Sequence, residues 1–139
     1  MNIYFSCSIT GGRQDENIYI AMVTHMLEKG HEVPTAHLSN PDAMASEAVL
    51  NAQEVYNRDT NWVKNCDVMI AEVSTPSHGV GYEIALACIL GKPVLCCYRA
   101  GKPVSKMISG NTHPGFSCLA YNTTEEVMCL IDRFLGTTT

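Results

Sequence analysis

Hydrophobic and polar residues alternate along this chain with two different periods. Five short segments, at residues 2–7, 32–35, 68–73, 93–98 and 116–120, are strand candidates, and most of them are apolar runs of the length of a buried strand. Four longer segments repeat apolar residues every three or four positions, which predicts helices at about 14–29, 43–64, 81–90 and 124–135. Gly30 and Gly91 follow the first and third of these helices, where helices commonly end, and Pro41 precedes the second.

Strands that alternate with helices predict a parallel sheet covered on both faces. We therefore expect a single-domain α/β fold, a Rossmann/flavodoxin-like doubly wound sheet of about five parallel strands. The domain spans residues 1–136, followed by a short tail at 137–139. Ligands of such sheets bind beyond the carboxyl ends of the strands. Three segments meet at that edge: SCSITGGR, SNPDAM and STPSHGVGYE.

The segment STPSHGVGYE, residues 74–83, carries the clearest functional signal. It joins a predicted strand to a predicted helix through small residues, the arrangement that offers backbone N–H groups and a helix N-terminus to an anion. Ser77, Gly79 and Gly81 line this loop. Glu83 follows on the apolar stripe of the helix, either as a catalytic carboxylate or as an acid favoured by the helix dipole.

Three further polar residues point toward the same edge of the sheet. Asp59 shares a predicted helix face with Val55 and Trp62, so it is either functional or paired with a nearby cation; Arg58 and Lys64 lie on other faces. Tyr4 is either a core aromatic or a hydroxyl that holds a catalytic carboxylate. Arg13 either contacts an anion or caps a helix.

Composition narrows the class of protein. A net charge of −5 argues against nucleic-acid binding, and no apolar run is long enough to cross a membrane. Seven cysteines without a CxxC pair indicate reduced core thiols, so we expect a cytoplasmic or nuclear location. The five histidines lack metal-ligand spacing, and neither GxGxxG nor GxxxxGK[ST] occurs. We expect neither a metal nor a cofactor.

Taken together, several segments resemble one known family in sequence and in order. They are IYFSCSITGGRQD at the start, AHL at 36–38, NRDTNW at 57–62, DVMIAEVSTPSHGVGYE at 67–83 and VSKMISG at 104–110. The chain is similar over residues 2–135 to the 2′-deoxynucleoside 5′-phosphate N-hydrolases, relatives of the nucleoside 2-deoxyribosyltransferases. The resemblance implies hydrolysis of the bond between base and sugar in deoxynucleoside monophosphates.

The resemblance also implies a role for individual residues. Glu83 matches the nucleophile, Asp59 the acid/base residue, and Tyr4 the tyrosine that orients the nucleophile. Ser105 matches a serine that reaches the phosphate from the neighbouring subunit, which implies a homodimer. The remaining predicted substrate-binding residues lie in the same matching segments: Ser8, Ile9, Thr10, Gly11, Arg13, His37, Ser77, Gly79 and Met107.

The sequence departs from the family at a few positions. Cys7 stands where glycine is common, and Thr10 where arginine is common near the base, so the base preference stays open. Two other functions also stay open. One is deoxyribosyl transfer between bases, and the other is a nucleotide-binding module without turnover.

Overall fold

The computed structural model describes residues 1–9 and 15–138, in which strands alternate with helices. The strands are β1 (Ile3–Ser6), β2 (Val68–Glu72), β3 (Val94–Arg99) and β4 (Phe116–Tyr121). The helices are α1 (Glu16–Glu28), α2 (Ala43–Ala48), α3 (Ala52–Asn65), α4 (His78–Ile89), α5 (Lys106–Ser109) and α6 (Thr124–Thr138), with a 3-10 helix at Ala36–Ser39. No described helix has the length and apolarity that a membrane span requires.

The four strands form one parallel sheet in the order β1-β2-β3-β4. Phe5 pairs with Ile70, and Ile70 with Leu95. The α/β class and the parallel sheet are confirmed.

The predicted strand at 32–35 is reduced to a single bridge between Asn2 and Glu32, on the edge of β1 away from β2. Pro34 has no N–H to donate, so the ladder cannot continue. The Thr35 hydroxyl oxygen instead accepts a hydrogen bond from the Phe5 backbone N–H, at 3.0 Å. After β1 the chain runs to the bridge at Glu32 on one side of β1, and it then crosses to β2 on the other side. The direction in which the sheet is wound therefore reverses at β1, and the carboxyl ends of β1 and β2 form the topological switch point.

The predicted helix at 43–64 is two helices, because Asn51 starts a new one. Its side-chain oxygen accepts from the Glu54 N–H at 2.8 Å, and the Glu54 carboxylate accepts from the Asn51 N–H at 3.0 Å. This reciprocal cap is a strong helix start. Two other bounds also move: α4 begins at His78, three residues before the predicted start, and α6 extends to Thr138.

Alternate residues of each strand face opposite sides of the sheet and build two cores. Ile3 and Phe5 face α1 and α6, whereas Tyr4 faces α3 and α4. Helices thus cover both faces, as predicted. Five of the seven cysteines are buried in these layers: Cys7, Cys66, Cys88, Cys96 and Cys97.

Candidate active site

A carboxylate from α4 meets a hydroxyl from β1 at the switch point. The Ser6 hydroxyl donates a hydrogen bond of 2.6 Å to Glu83 Oε2. Ser6 is the last residue of β1 and lies two positions after Tyr4, so both side chains face α4. Val80 and Ala87, three positions before and four after Glu83, are buried, whereas Leu90 caps the end of α4 and is exposed. Ser6 is not among the predicted site residues, although the alternation of side chains along β1 puts it on the same face as Tyr4, beside Glu83.

Burial raises the pKa of Glu83 to about 7. The hydrogen bond from Ser6 opposes that shift, and the negative charge of Asp59 adds to it. A carboxylate removed from water keeps an unsolvated lone pair. Glu83 is therefore suited to attack an electron-poor carbon near neutral pH.

Tyr4 lies next to this carboxylate, and its hydroxyl favours the ionised form of Glu83. Its hydroxyl is buried and has no hydrogen-bond partner of acceptable geometry among the described residues. Burial, and then the charges of Glu83 and Asp59, raise the Tyr4 pKa far above its ordinary value. The Tyr4 hydroxyl therefore stays protonated and lies close to Glu83, and Ser6 donates a hydrogen bond of 2.6 Å to the same carboxylate.

Asp59 reaches the same cavity from α3 and forms the ion pair that its helix position argued against. Arg58 Nε donates to Asp59 Oδ1 at 2.7 Å, and the guanidinium also makes two bonds to Glu47, at 3.0 and 3.1 Å. The guanidinium lies 5.0 Å from the centre of the Trp62 ring. A long side chain folded over an aromatic ring can reach a neighbour on another helix face, which spacing alone does not reveal.

The Arg58 guanidinium remains charged. Burial alone would lower the pKa of Arg58, but its hydrogen bonds to Asp59 and Glu47 raise it above the ordinary value. Arg58 and Glu47 are thus two site residues that the sequence analysis did not identify as such.

A cavity of about 440 Å³ joins these groups, a volume within the range of small-molecule sites. Ser6, Asp59 and Glu83 line it together with Glu47 and Ser77. No lysine or arginine is among its described lining residues. Its walls are otherwise mainly apolar or aromatic: Cys7, Ile9, Leu38, Ala52, Val55, Tyr56, Val80 and Tyr82.

The start of α4 offers donors to an anion at one end of the cavity. Ser77 is the N-cap of α4 and accepts from the Val80 N–H at 3.4 Å. A Cβ on Gly79 would come no closer than 3.9 Å to the Ser77 hydroxyl, so glycine is not needed there for packing. It leaves the backbone of the first helical turn open to a ligand.

The sequence profile of the nucleoside 2-deoxyribosyltransferase family matches residues 3–130. The chain belongs to this family. A protein of Methanococcoides burtonii with the provisional name 2′-deoxynucleoside 5′-phosphate N-hydrolase 1 is 38% identical over 117 residues, which are 84% of this chain and 96% of that protein. The 5-hydroxymethyl-dUMP N-hydrolase of Rattus norvegicus is 37% identical over 138 residues, covering 96% and 83% of the two chains. The resemblance stated from the sequence is confirmed.

A solved structure of the CMP N-glycosidase of Clostridium botulinum has the same fold. The two superpose with a TM-score of 0.70 over 95% of this chain and 99% of that one, at 20% sequence identity.

Other residues predicted from this deoxyribosyltransferase family lie at varying distances from the cavity. Ile9 lines it, and Ser8 is fully buried just before it. The His37 ring packs edge-on against Trp62, with centroids 5.9 Å apart, and Nε2 lies 3.5 Å from Glu47 Oε1. His37 therefore contacts Glu47, which lines the cavity, but does not line the cavity itself. Three predicted residues lie outside the described residues: Thr10, Gly11 and Arg13.

Ser105 and Met107 line a second cavity of about 670 Å³, which shares Ser77 and Val80 with the first. Ser105 is the N-cap of α5, and its hydroxyl oxygen accepts from the Met107 N–H at 3.2 Å. Met107 is 84% exposed. The two residues thus lie near Ser77 and the start of α4 within the same chain.

Among the described residues, no group of three or more histidine, cysteine, aspartate or glutamate side chains is arranged to hold a metal ion.

Proposed function

We propose that this chain hydrolyses the N-glycosidic bond of 2′-deoxynucleoside 5′-monophosphates, releasing the free base and 2-deoxyribose 5-phosphate. The observation that carries the proposal is the position of Glu83. It is a largely buried carboxylate held by Ser6, in a nucleotide-sized cavity that Asp59 and the Ser77 loop also line. The names of the Methanococcoides and Rattus relatives support the same reaction and substrate class.

The reaction proceeds in two displacements. Glu83 attacks the anomeric carbon as the bond to the base nitrogen breaks, and Asp59 protonates the departing base. This leaves a deoxyribosyl ester on Glu83. Water then attacks the same carbon while Asp59 takes its proton, and Glu83 leaves as a carboxylate. Two carboxyl groups in these roles follow the logic of retaining glycosidases.

Retention of configuration tests the covalent step. With methanol as a competing nucleophile, two displacements convert a β-deoxynucleotide into the β-methyl glycoside of deoxyribose 5-phosphate. Proton NMR of the anomeric region distinguishes the two anomers. The α-anomer as the main product would show a single displacement and remove the ester from the mechanism.

Ser6 sets the pH at which Glu83 becomes active. Glu83 attacks only when ionised, and its pKa of about 7 in the free protein places a rise in kcat/KM across neutral pH. The Ser6 hydrogen bond favours the ionised form. In the Ser6→Ala variant we therefore expect this rise to move to higher pH by about one unit, since a bond to a charged group is worth ~1.5 kcal/mol or more. A kcat/KM profile from pH 5 to 9 measures the shift, and a profile that stays in place or moves to lower pH would contradict it.

The phosphate lies on the Ser77–Gly79 loop in this proposal, and a partner subunit completes its site. Exposed apolar side chains on and near α4 favour a homodimer there, since Ile89 is 80% exposed and Met107 84%. Ser105 of the partner chain would donate to the phosphate.

The cytoplasmic or nuclear location of the protein stays a prediction.

Mixing two inactive or weakened variants tests the shared site. Ser105→Ala should raise KM for monophosphates about tenfold, the worth of a hydrogen bond to a charged group. Glu83→Gln should have no turnover. After subunit exchange, half of the dimers are mixed, and each holds one intact site if Ser105 acts across the interface. Base release at low substrate should then recover to about a quarter of wild type. Activity no higher than the separate variants together would place Ser105 in its own chain's site, or in neither.

A further inference from the structure

A second buried carboxylate lies on the other face of the sheet, and the proposed reaction does not use it. Glu72 is the last residue of β2 and is 0% exposed. Its strand neighbour Ile70, two positions earlier, packs into the apolar layer beneath α1 and α6. Burial of a carboxylate in such a layer costs free energy unless hydrogen bonds or an opposite charge compensate for the lost water.

One oxygen of Glu72 holds the turn that follows β2. Glu72 Oε1 accepts from the Ser74 backbone N–H at 2.9 Å and from the Ser74 hydroxyl. The Ser74 hydroxyl oxygen in turn accepts from the Arg99 backbone N–H at the end of β3, at 2.8 Å. Glu72 Oε2 has no hydrogen-bond partner among the described residues.

Asp15 holds the next residue of the same turn. Asp15 Oδ2 accepts from the Thr75 hydroxyl at 3.2 Å, and Oδ1 accepts from an Arg99 guanidinium nitrogen at 3.0 Å. Asp15 directly precedes α1. The contacts therefore tie together the start of α1, the end of β3 and the turn after β2.

These contacts replace strand pairing at the point where it stops. The Val73 N–H still donates to the Cys97 carbonyl oxygen at 2.9 Å, in continuation of the ladder. Beyond Val73, the turn at 74–75 is held by the side chains just described, and Ser77 with its helix N-terminus follows two residues later. A shift of this turn would move the donors that face the cavity.

We propose that Asp15, Glu72, Ser74, Thr75 and Arg99 form a latch that positions the Ser77–Gly79 loop, and that the charge of Glu72 sets how firmly the loop is held. This rests on the proposed phosphate site. The five side chains are positioning residues, because they act on the cavity through the loop, and Glu72 itself lies on the opposite face of the sheet from Glu83.

The charge of Glu72 changes near neutral pH. Burial raises its pKa to about 7; the Ser74 bonds and Arg99 oppose the shift, and Asp15 adds to it. The other ionisable groups that interact with it are Tyr19 on α1, Cys97 on β3 and Tyr121 on β4. Above this pH the ionised carboxylate accepts strongly from both Ser74 donors. Below it the carboxyl is neutral and accepts more weakly, so anion affinity should fall.

Sulfate binding tests the latch without turnover. Sulfate remains a dianion from pH 5.5 to 8.5, and the Glu83→Gln background removes the other carboxylate that titrates near 7. In that background, we expect Glu72→Gln to weaken sulfate binding about tenfold at pH 8 and hardly at all at pH 5.5. Ser74→Ala, which removes one donor to Glu72, should also weaken binding at pH 8. Glu28→Gln, on the exposed side of α1, is the matched control.

The outcomes separate the latch from the site it serves. Equal sulfate affinity in all variants at every pH would overturn the latch while leaving the phosphate site in place. No sulfate or deoxyribose 5-phosphate binding in any variant would overturn both.

With Glu83 intact, Glu72→Gln should raise KM for monophosphates about tenfold and leave kcat within about twofold. A loss in kcat alone would also contradict a positioning role. Circular dichroism confirms folding, and Ser74→Ala carries the test if Glu72→Gln does not fold.

Discussion

Replacing Glu83 by glutamine should abolish base release while nucleotide binding survives. We expect kcat to fall by about six orders of magnitude, the scale seen when a covalent nucleophile is removed. Glutamine has nearly the same shape, and its carbonyl oxygen can still accept the Ser6 hydroxyl at the position of Oε2. The dissociation constant for a monophosphate should therefore change by no more than about threefold.

The control for this variant is Glu28→Gln, which removes one acid from the exposed part of α1 and should leave the rate unchanged. Single-turnover chromatography measures base release, and calorimetry measures binding. Turnover of the Glu83→Gln variant at a rate near that of the wild type would exclude Glu83 as the nucleophile.

Replacing Asp59 by asparagine should give the second largest loss. A general acid contributes about 10²- to 10⁴-fold, and asparagine cannot supply a proton to the base. Arg58 Nε can still donate to the asparagine oxygen, so the wall of the cavity should keep its arrangement. Asp42→Asn, at an exposed position before α2, is the matched control.

The size of the Asp59→Asn loss should depend on the leaving base. A base that is stable as an anion departs without protonation, so 5-fluoro-dUMP should lose less rate than dUMP. Parallel kcat/KM measurements on the two nucleotides give this ratio. The same fractional loss for both would assign Asp59 to positioning and not to proton transfer.

Local sequence predicted the parts of the site that depend on one segment. Residues 74–83 follow the end of β2 and hold the small-residue loop, the start of α4 and Glu83 in a single run, and Ser77 caps the helix there. The alternation of strands and helices likewise predicted the parallel sheet. Both results rest on periodicity and backbone chemistry, which short stretches of sequence determine.

Contacts between distant segments were harder to predict. Ser6 and Glu83 are 77 positions apart, and only the packing of β1 against α4 shows that they meet. The Arg58 side chain bridges two helices to reach Glu47, so its pairing depends on where α2 lies. These contacts follow from tertiary packing, which spacing along one helix does not contain.

Two differences in the fold were readable in the sequence. Pro34 removes a donor in the middle of the predicted strand at 32–35, and Asn51 with Glu54 has the spacing of a capping box. The apolar pattern alone favoured a full strand at 32–35 and one long helix at 43–64, and both predictions are wrong. Single residues that remove or satisfy backbone hydrogen bonds thus decided these elements.

The most direct test of the central proposal is base release from a panel of nucleotides. Deoxynucleoside monophosphates, including 5-hydroxymethyl-dUMP, are compared with the matching ribonucleotides and with free deoxynucleosides, each with and without an added second base. The account predicts release of base and 2-deoxyribose 5-phosphate from deoxy monophosphates in water alone. Release that requires the second base would make the chain a transferase, and intact nucleotide recovered from every sample would contradict hydrolysis altogether.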